Sequence, residues 1–320
     1  MTRIGYHASH EQFPPSALVH LTTSAEEAGF QAVLSSDHFH PWSAIQGESG
    51  FAWSWLGAAM QATKLPFGIV TAPGQRYHPA ISAQAVATIL ELFPDRFWVA
   101  VGSGQALNEH ITGDHWPDKA SRNARLHESV TVMRRLWAGE PVTHHGLVNV
   151  EEATLYTLPP TPPLVIAAAI TPETAEWAGG WADGLITVSQ PDRMHTTVAE
   201  AFRAGGGHGK PVFLKVQLSY AHDEASARLG AHEQWRNNVF KSDTLSDLRT
   251  PSQLDGAGAL VRVDEMDQFV RISSDPERHV GWIQQDIDDG FEEIYLHNVN
   301  TEQEVFIQEF GARVLPRLRL

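Results

Sequence analysis

The residues of this chain that could do chemistry cluster at the ends of its apolar runs. The sharpest group is Ser35-Ser36-Asp37-His38-Phe39-His40-Pro41-Trp42. Asp37 offers a carboxylate that could orient or hydrogen-bond a flat ring. The His38 imidazole is suited to moving a proton near neutral pH. Trp42 offers an aromatic wall. The plainer reading, in which Asp37 caps a loop and His38 is a satisfied loop histidine, is the commoner one for an isolated Asp-His pair. In a strand-like segment, His38 and His40 would share a face as metal ligands do. No acidic third ligand stands at a recognisable spacing, so no metal is expected.

Three further segments have the same placement. Gly102-Ser103-Gly104-Gln105-Ala106-Leu107-Asn108-Glu109 carries glycines that let backbone amides approach a ligand closely, although turns use Gly-x-Gly freely. Val70-Thr71-Ala72-Pro73-Gly74-Gln75-Arg76-Tyr77-His78-Pro79 contains Arg76, which could bind an anion or simply decorate a proline-stiffened surface loop. Ala167-Ala168-Ala169-Ile170-Thr171 runs into a helix start, where free amides and the helix dipole attract phosphate. A tightly packed strand end is an equally good account of those small residues.

The elements that must position these groups alternate along the chain. Apolar runs at 3–6, 32–36, 66–71, 96–102, 164–169, 184–188, 212–219 and 292–297 read as eight strands. Helical periodicity fills 15–29, 55–63, 80–93, 121–139, 171–179, 193–204, 276–289 and 302–319. Thr171 is the expected N-cap of the fifth helix, with Pro172 in its first turn. Residues 142–158 break the rhythm as a hairpin-like excursion with a turn at Gly146. Residues 223–275 read as helical, polar and irregular. Eight strands with intervening helices predict an α/β fold, a closed (β/α)8 TIM barrel with insertions after strands 4 and 7. An open doubly wound sheet is weaker, because no Gly-x-Gly-x-x-Gly follows the first strand. No linker or repeat divides the chain, so one domain over 1–320 is expected. In a barrel the residues just after each strand form the active site.

Composition narrows the partners. The 23 basic and 38 acidic residues leave a net charge of −15, which argues against nucleic acid and anionic membrane. The absence of cysteine removes disulfides, thiolate metal sites and cysteine nucleophiles. The N-terminus has no apolar signal core and no window approaches a membrane span, so a cytoplasmic protein is expected. Trp53, Trp55, Trp137, Trp177 and Trp181 are expected to pack the core, and the acidic excess to be a solvated surface.

Taken together, the segments resemble the luciferase-like flavin oxidoreductases, and within them the group around the deazaflavin-dependent glucose-6-phosphate dehydrogenases. The matches are Gly5-Tyr6-His7-Ala8-Ser9 with Glu11-Gln12-Phe13, Ser36-Asp37-His38-Phe39 with Pro41-Trp42, Arg76-Tyr77 with Pro79, Gly102-Ser103-Gly104 with Ala106-Leu107-Asn108-Glu109, and Ser274-Asp275-Pro276. The resemblance implies a luciferase-like barrel with a cofactor ring at its mouth, His38 as the proton-transfer residue and Trp42 on the substrate side. It implies cofactor contacts from Asp37, from Ile69, Val70 and Ala72, from Gly104 to Asn108 (Gly104, Gln105, Ala106, Leu107 and Asn108), from Ala168, Ala169 and Ile170, and from Thr187. It also implies a homodimer, and a non-proline cis peptide at Ile69-Val70, behind the ring.

Two departures shift the expected chemistry. The dehydrogenases carry a glutamate as active-site acid where this chain has Gln105, and an amide cannot give and regain a proton as a carboxyl does. The acid role is therefore expected to move to Glu109 or water. The dehydrogenases hold the sugar phosphate with lysines, whereas this chain reads Ser189-Gln190-Pro191-Asp192 after its sixth strand, so glucose 6-phosphate is not the expected substrate. The cofactor is FMN or the deazaflavin coenzyme F420. Segments such as Phe51-Ala52-Trp53-Ser54-Trp55 resemble a subgroup read as having returned to FMN, which slightly favours FMN. The leading expectation is hydride transfer to or from a small organic substrate. One alternative is an FMNH2-dependent monooxygenase fed by a separate flavin reductase, and another is a non-catalytic flavin-binding protein.

Overall fold

The computed structural model describes residues 2–320. Its strands are β1 (Arg3–Ala8), β2 (Ala32–Ser36), β3 (Phe67–Thr71), β4 (Phe97–Val101), β5 (Val142–His145), β6 (Asn149–Ala153), β7 (Val165–Ala168), β8 (Gly184–Val188), β9 (Val212–Ser219), β10 (Arg271–Ile272) and β11 (Glu293–Asn298). Eight of them pair in parallel in the order β9-β11-β1-β2-β3-β4-β7-β8, and β8 pairs back to β9 to close the barrel. The helices are α1 (Pro15–Glu27), α2 (Ala52–Ala62), α3 (Pro79–Leu92), α4 (Ala106–Glu109), α5 (Lys119–Trp137), α6 (Pro172–Gly179), α7 (Met194–Phe202), α8 (Glu224–Trp235), α9 (Ser242–Asp247), α10 (Pro251–Gly258), α11 (Pro276–Asp288) and α12 (Gln303–Glu309). This is the (β/α)8 TIM barrel read from the sequence. No helix among the described residues is long and apolar enough to cross a membrane.

The strands are buried on both faces, so their sequences run apolar rather than alternating. One face meets the helices. The other fills the barrel with Ala32, Leu34, Trp98, Ala100, Ile166, Ile186, Phe213 and Tyr295. Two glycines make room for the largest rings. A Cβ on Gly5 would lie 2.4 Å from the Tyr295 ring, and one on Gly68 would lie 2.2 Å from the Trp98 ring. The barrel bottom is thus a plug of aromatics seated against bare backbone, and the space above it is the mouth.

Local signals start most helices where expected. Thr171 accepts the Thr174 amide, and Pro172 follows as the first residue of α6. Asp118 and Asp223 cap α5 and α8 in the same way. The excursion after β4 is the antiparallel pair β5–β6. The insertion after β9 folds into α8, α9, α10 and the short β10, which extends the ladder of β9.

Three local expectations differ. The second helix begins at Ala52, three residues early, since Trp55 and Leu56 are its buried face. The closing helix ends at Glu309 and continues as wider and then tighter turns to Arg317, because Pro316 cannot supply an amide to an α-ladder. The peptide at Ile69-Val70 is trans, as are all those described. Both residues sit in regular register with β2 and β4.

Candidate active site

Side chains alternate between the two faces of a strand, so the barrel-filling residues identify which neighbours line the mouth. Phe213 and Tyr295 fill the barrel, which puts Lys215, Gln217 and His297 on the same face further up their strands. His7 follows Gly5 on β1 in the same sense. Across the barrel the corresponding positions are Ser36, Val70, Ala168 and Val188, and Val70 and Ala168 pack directly on the aromatic plug. The mouth therefore has two halves. One is small and largely apolar, over β2, β3, β7 and β8. The other is polar, over β9, β11 and β1.

The loop after β2 starts with Asp37, which is buried. Its Oδ2 accepts from Thr71 Oγ1 at 2.8 Å and its Oδ1 from the Tyr77 hydroxyl at 3.0 Å. The Arg76 Nη2 donates to the Asp37 carbonyl at 2.7 Å and lies 3.4 Å from Oδ2. The same Arg76 reaches Glu109, through its backbone amide at 2.8 Å and its Nε at 3.4 Å. Burial, followed by the Asp37 charge, pushes the Tyr77 hydroxyl pKa up. Burial also raises the Glu109 carboxyl, against the pull of Arg76. One guanidinium thus ties the loops after β2, β3 and β4 together, so Arg76 is not the open anion receptor that the sequence allowed.

His38 follows, with its side chain 17% exposed. Its Nδ1 lies 2.5 Å from Glu11 Oε1, and Ser9 Oγ donates to Glu11 Oε2 at 2.8 Å. Burial raises the Glu11 acid, but the contact with His38 outweighs it and holds the carboxyl below its usual range. The Trp42 ring meets His38 edge-on at 5.2 Å. Trp42 is pinned from behind by Leu107 and Leu254. Asp255, in α10, accepts from Ser43 Oγ at 2.7 Å and from the Ala44 amide at 3.1 Å. Asn237 bonds both the Trp42 carbonyl and Asp255. The insertion after β9 therefore holds the loop that presents the indole. His40 turns away, with its Nδ1 2.8 Å from the Leu107 carbonyl, so His38 and His40 do not converge on a metal.

The loop after β4 is fastened to the same segment. Asn108 Oδ1 accepts the Phe39 and His40 amides at 2.9 and 3.2 Å. Gly104 has φ 81°, a left-handed conformation suited to glycine, and a Cβ there would lie 3.5 Å from the Ala72 Cβ. Gln105 caps α4 through its carbonyl, and its amide side chain makes no protein hydrogen bond. Ala106 and Leu107 are fully buried. Ile69 and Ala169 belong to the core between barrel and helices. Thr187 is buried on a strand position facing away from Ile186 and Val188. These side chains can adjust the site only through their backbone. Ile170 is exposed at the rim, and its carbonyl accepts from Gln190 Nε2.

Sequence reading gave no role to Glu11 or to the polar half of the mouth. The His7 and His297 rings lie 4.5 Å apart, tilted by 54°. His297 meets the Trp235 ring at 4.9 Å, and Lys215 Nζ lies 5.2 Å from that ring centre. The available signal was the polar Lys215 and Gln217 at every second position after Phe213. Elsewhere, a cavity of about 290 Å3 is lined by His195, Arg193, Arg271 and Asp286. His195, Asp286 and Asp289 come together there, but Arg271 and Arg193 already neutralise the two carboxylates.

The model of the luciferase-like monooxygenases matches residues 1–304. The chain belongs to the luciferase-like monooxygenase family. Its relatives include the F420-dependent glucose-6-phosphate dehydrogenase of Beutenbergia cavernae, 34% identical over 100% of this chain and 98% of the relative. That of Intrasporangium calvum is 35% identical over 100% and 99%. Among solved structures, an F420-dependent secondary alcohol dehydrogenase in complex with an F420-acetone adduct superposes with a TM-score of 0.91. It is 30% identical, over 100% of this chain and 99% of that one. The coenzyme F420-dependent tetrahydromethanopterin reductase of Methanopyrus kandleri has a TM-score of 0.78 at 19% identity, over 99% of each chain, which speaks to the fold. This luciferase-like chain is an oxidoreductase.

Proposed function

We propose that the chain is an F420-dependent oxidoreductase that moves a hydride to or from a small organic substrate, with His38 carrying the accompanying proton. The observation that carries this reading is His38 held through Nδ1 by Glu11, with Nε2 left free beside Trp42. The F420-dependent relatives spanning the whole chain, together with the alcohol dehydrogenase of the same fold, support F420 over FMN.

The residues present fit such a group. The small, apolar half of the mouth suits a flat ring. Gly102 and Gly104 keep side chains out of the path between the loops after β3 and β4, and the amides that open α6 after Ala168, Ala169 and Ile170 suit a phosphate. Asp37 positions that half through Thr71, Tyr77 and Arg76 rather than through a free carboxylate. The bound ring supplies the hydride donor or acceptor. Glu11 keeps the proton of neutral His38 on Nδ1, so Nε2 accepts a proton from a substrate hydroxyl and, in reverse, returns it to a carbonyl. Trp42 shields that exchange from water. Gln105 can hydrogen-bond a ring or substrate oxygen but cannot relay a proton. Glu109 is tied to Arg76, so proton traffic runs through His38. By family resemblance we also propose a homodimer of single-domain barrels in the cytoplasm.

Titration of the purified protein with F420 and with FMN, read by absorbance and fluorescence, tests the cofactor. Saturable F420 binding and substrate-dependent bleaching of its absorbance are expected. Preferential FMN binding with a C4a-oxygen adduct in air would replace this reading with the reductase-fed monooxygenase. Ring binding without redox change under any donor would leave a carrier.

A further inference from the structure

The polar half of the mouth contains an ammonium that no carboxylate touches among the described residues. Lys215 stands on the barrel-facing side of β9, in register with Val188 and Tyr295, and is only partly buried. Its ammonium makes no ion pair or hydrogen bond among the described residues, and the Trp235 ring covers it at 5.2 Å. The Glu11 carboxylate supports the ammonium only from a distance, since its oxygens are engaged by His38 and Ser9. Gln217, one step further up the strand, spends its Oε1 on Ser189 Oγ at 2.6 Å, leaving its amide N–H groups free. His7 and His297 add no further positive charge, since burial and the neighbouring Lys215 keep both neutral.

We propose that Lys215 is a specificity-determining residue that binds the carboxylate of the substrate, so that the reacting molecule is a carbonyl or alcohol bearing one carboxylate group. This rests on the hydride-transfer reading above and names its substrate class. Partly desolvated, an ammonium gains most from an anionic partner. One lysine matches one negative charge, and the Gln217 amide can donate to the second oxygen. A phosphate dianion is a poorer match for a single ammonium, and Arg76, the guanidinium between the loops after β2, β3 and β4, already holds Asp37 and Glu109. Burial lowers the Lys215 ammonium to about 8, so it is charged at neutral pH. The Trp235 ring confines the anion to this half, opposite the surface suited to the cofactor.

The probes are oxamate, malonamate and succinamate, each with its neutral diamide, and inorganic phosphate. Binding is measured by calorimetry on the protein with and without F420. At least one monoamide anion should bind with one site per chain and about 10–100-fold more tightly than its diamide, the value of a charge-assisted hydrogen bond. Phosphate should bind more weakly. Lys215→Met should remove the preference for the anion while leaving the F420 titration unchanged, and Lys215→Gln is the second variant if the first does not fold. The comparison of anion with diamide in the unaltered protein needs no variant. Equal binding of anion and diamide, binding by none of the three anions, tighter binding of phosphate, or an anion preference that survives both substitutions would overturn the proposal. Anion binding without any F420 binding would retain the anion site and remove the cofactor reading. F420 binding without anion binding would do the reverse.

Discussion

The Nδ1 of His38 lies 2.5 Å from the Oε1 of Glu11, and this contact decides which imidazole nitrogen faces the mouth. A ring that donates from Nδ1 accepts at Nε2. The pair lies between a tryptophan and the end of the first strand, so the histidine can change protonation without changing orientation. His38→Ala should leave F420 affinity within about twofold and lower turnover by about 10²–10⁴. Glu11→Gln, which leaves the imidazole without its anionic partner, should fall between that variant and the unaltered protein. Steady-state rates with cofactor titrations check both; undiminished turnover in His38→Ala would remove the proton-transfer role.

Arg76 is a positioning residue. Replacing it with Met would leave Asp37 and Glu109 facing each other without a cation between them. The expected cost is about 3–5 kcal/mol, the usual loss when one partner of a buried ion pair is removed. Urea unfolding reads this directly. Lys at 76 should recover only part of it, because an ammonium cannot reach both loops as the guanidinium does.

The aromatic plug makes a different prediction. Gly68→Ala drives a methyl group into the Trp98 ring and should cost about 1–3 kcal/mol of stability. Gly57, on α2, has nothing within 4 Å of an added Cβ. Gly57→Ala should therefore be neutral or mildly stabilising, by up to about 1 kcal/mol. Thermal melts of the two variants give the contrast.

Acid should unfold the protein before its surface carboxylates account for it. Burial lowers His10 and His279 to about 4 and moves His7 and His297 well below their ordinary value. The unfolded chain takes up these protons near pH 6.5, while the folded chain refuses them until far lower pH. The associated stability is complete above about pH 6.5 and falls away as the pH drops toward 4. The urea midpoint should drop steeply between pH 6.5 and 4. A flat profile there would mean that these rings are already protonated in the folded state.

Much of this was legible in the residues. The eight strands, the hairpin around Gly146 and the Thr171 cap follow from periodicity and local hydrogen-bonding chemistry, both of which lie within a short window. The position of Asp37, His38 and Trp42 followed from their place after the second strand. The role of Arg76 is not legible locally because its partners stand 39 and 33 residues away, and a cation between prolines looks like surface. Lys215 is hidden in a strand that reads as apolar, and only the identity of the barrel-filling neighbours shows which alternate residues face inward. Likewise, nothing in the local pattern showed that residues 234–258 hold the indole of Trp42.

The division of the barrel mouth has an evolutionary reading. Contacts suited to the cofactor come from β2, β3, β4 and β7, while those suited to the substrate come from β9, β11 and the insertion between them. On the proposed reading, exchanges at positions such as Lys215, Gln217 and Trp235 would redirect which molecule is taken up without disturbing the half suited to the redox ring. A lineage with this layout can diversify its chemistry along one arc of the barrel while inheriting the other intact.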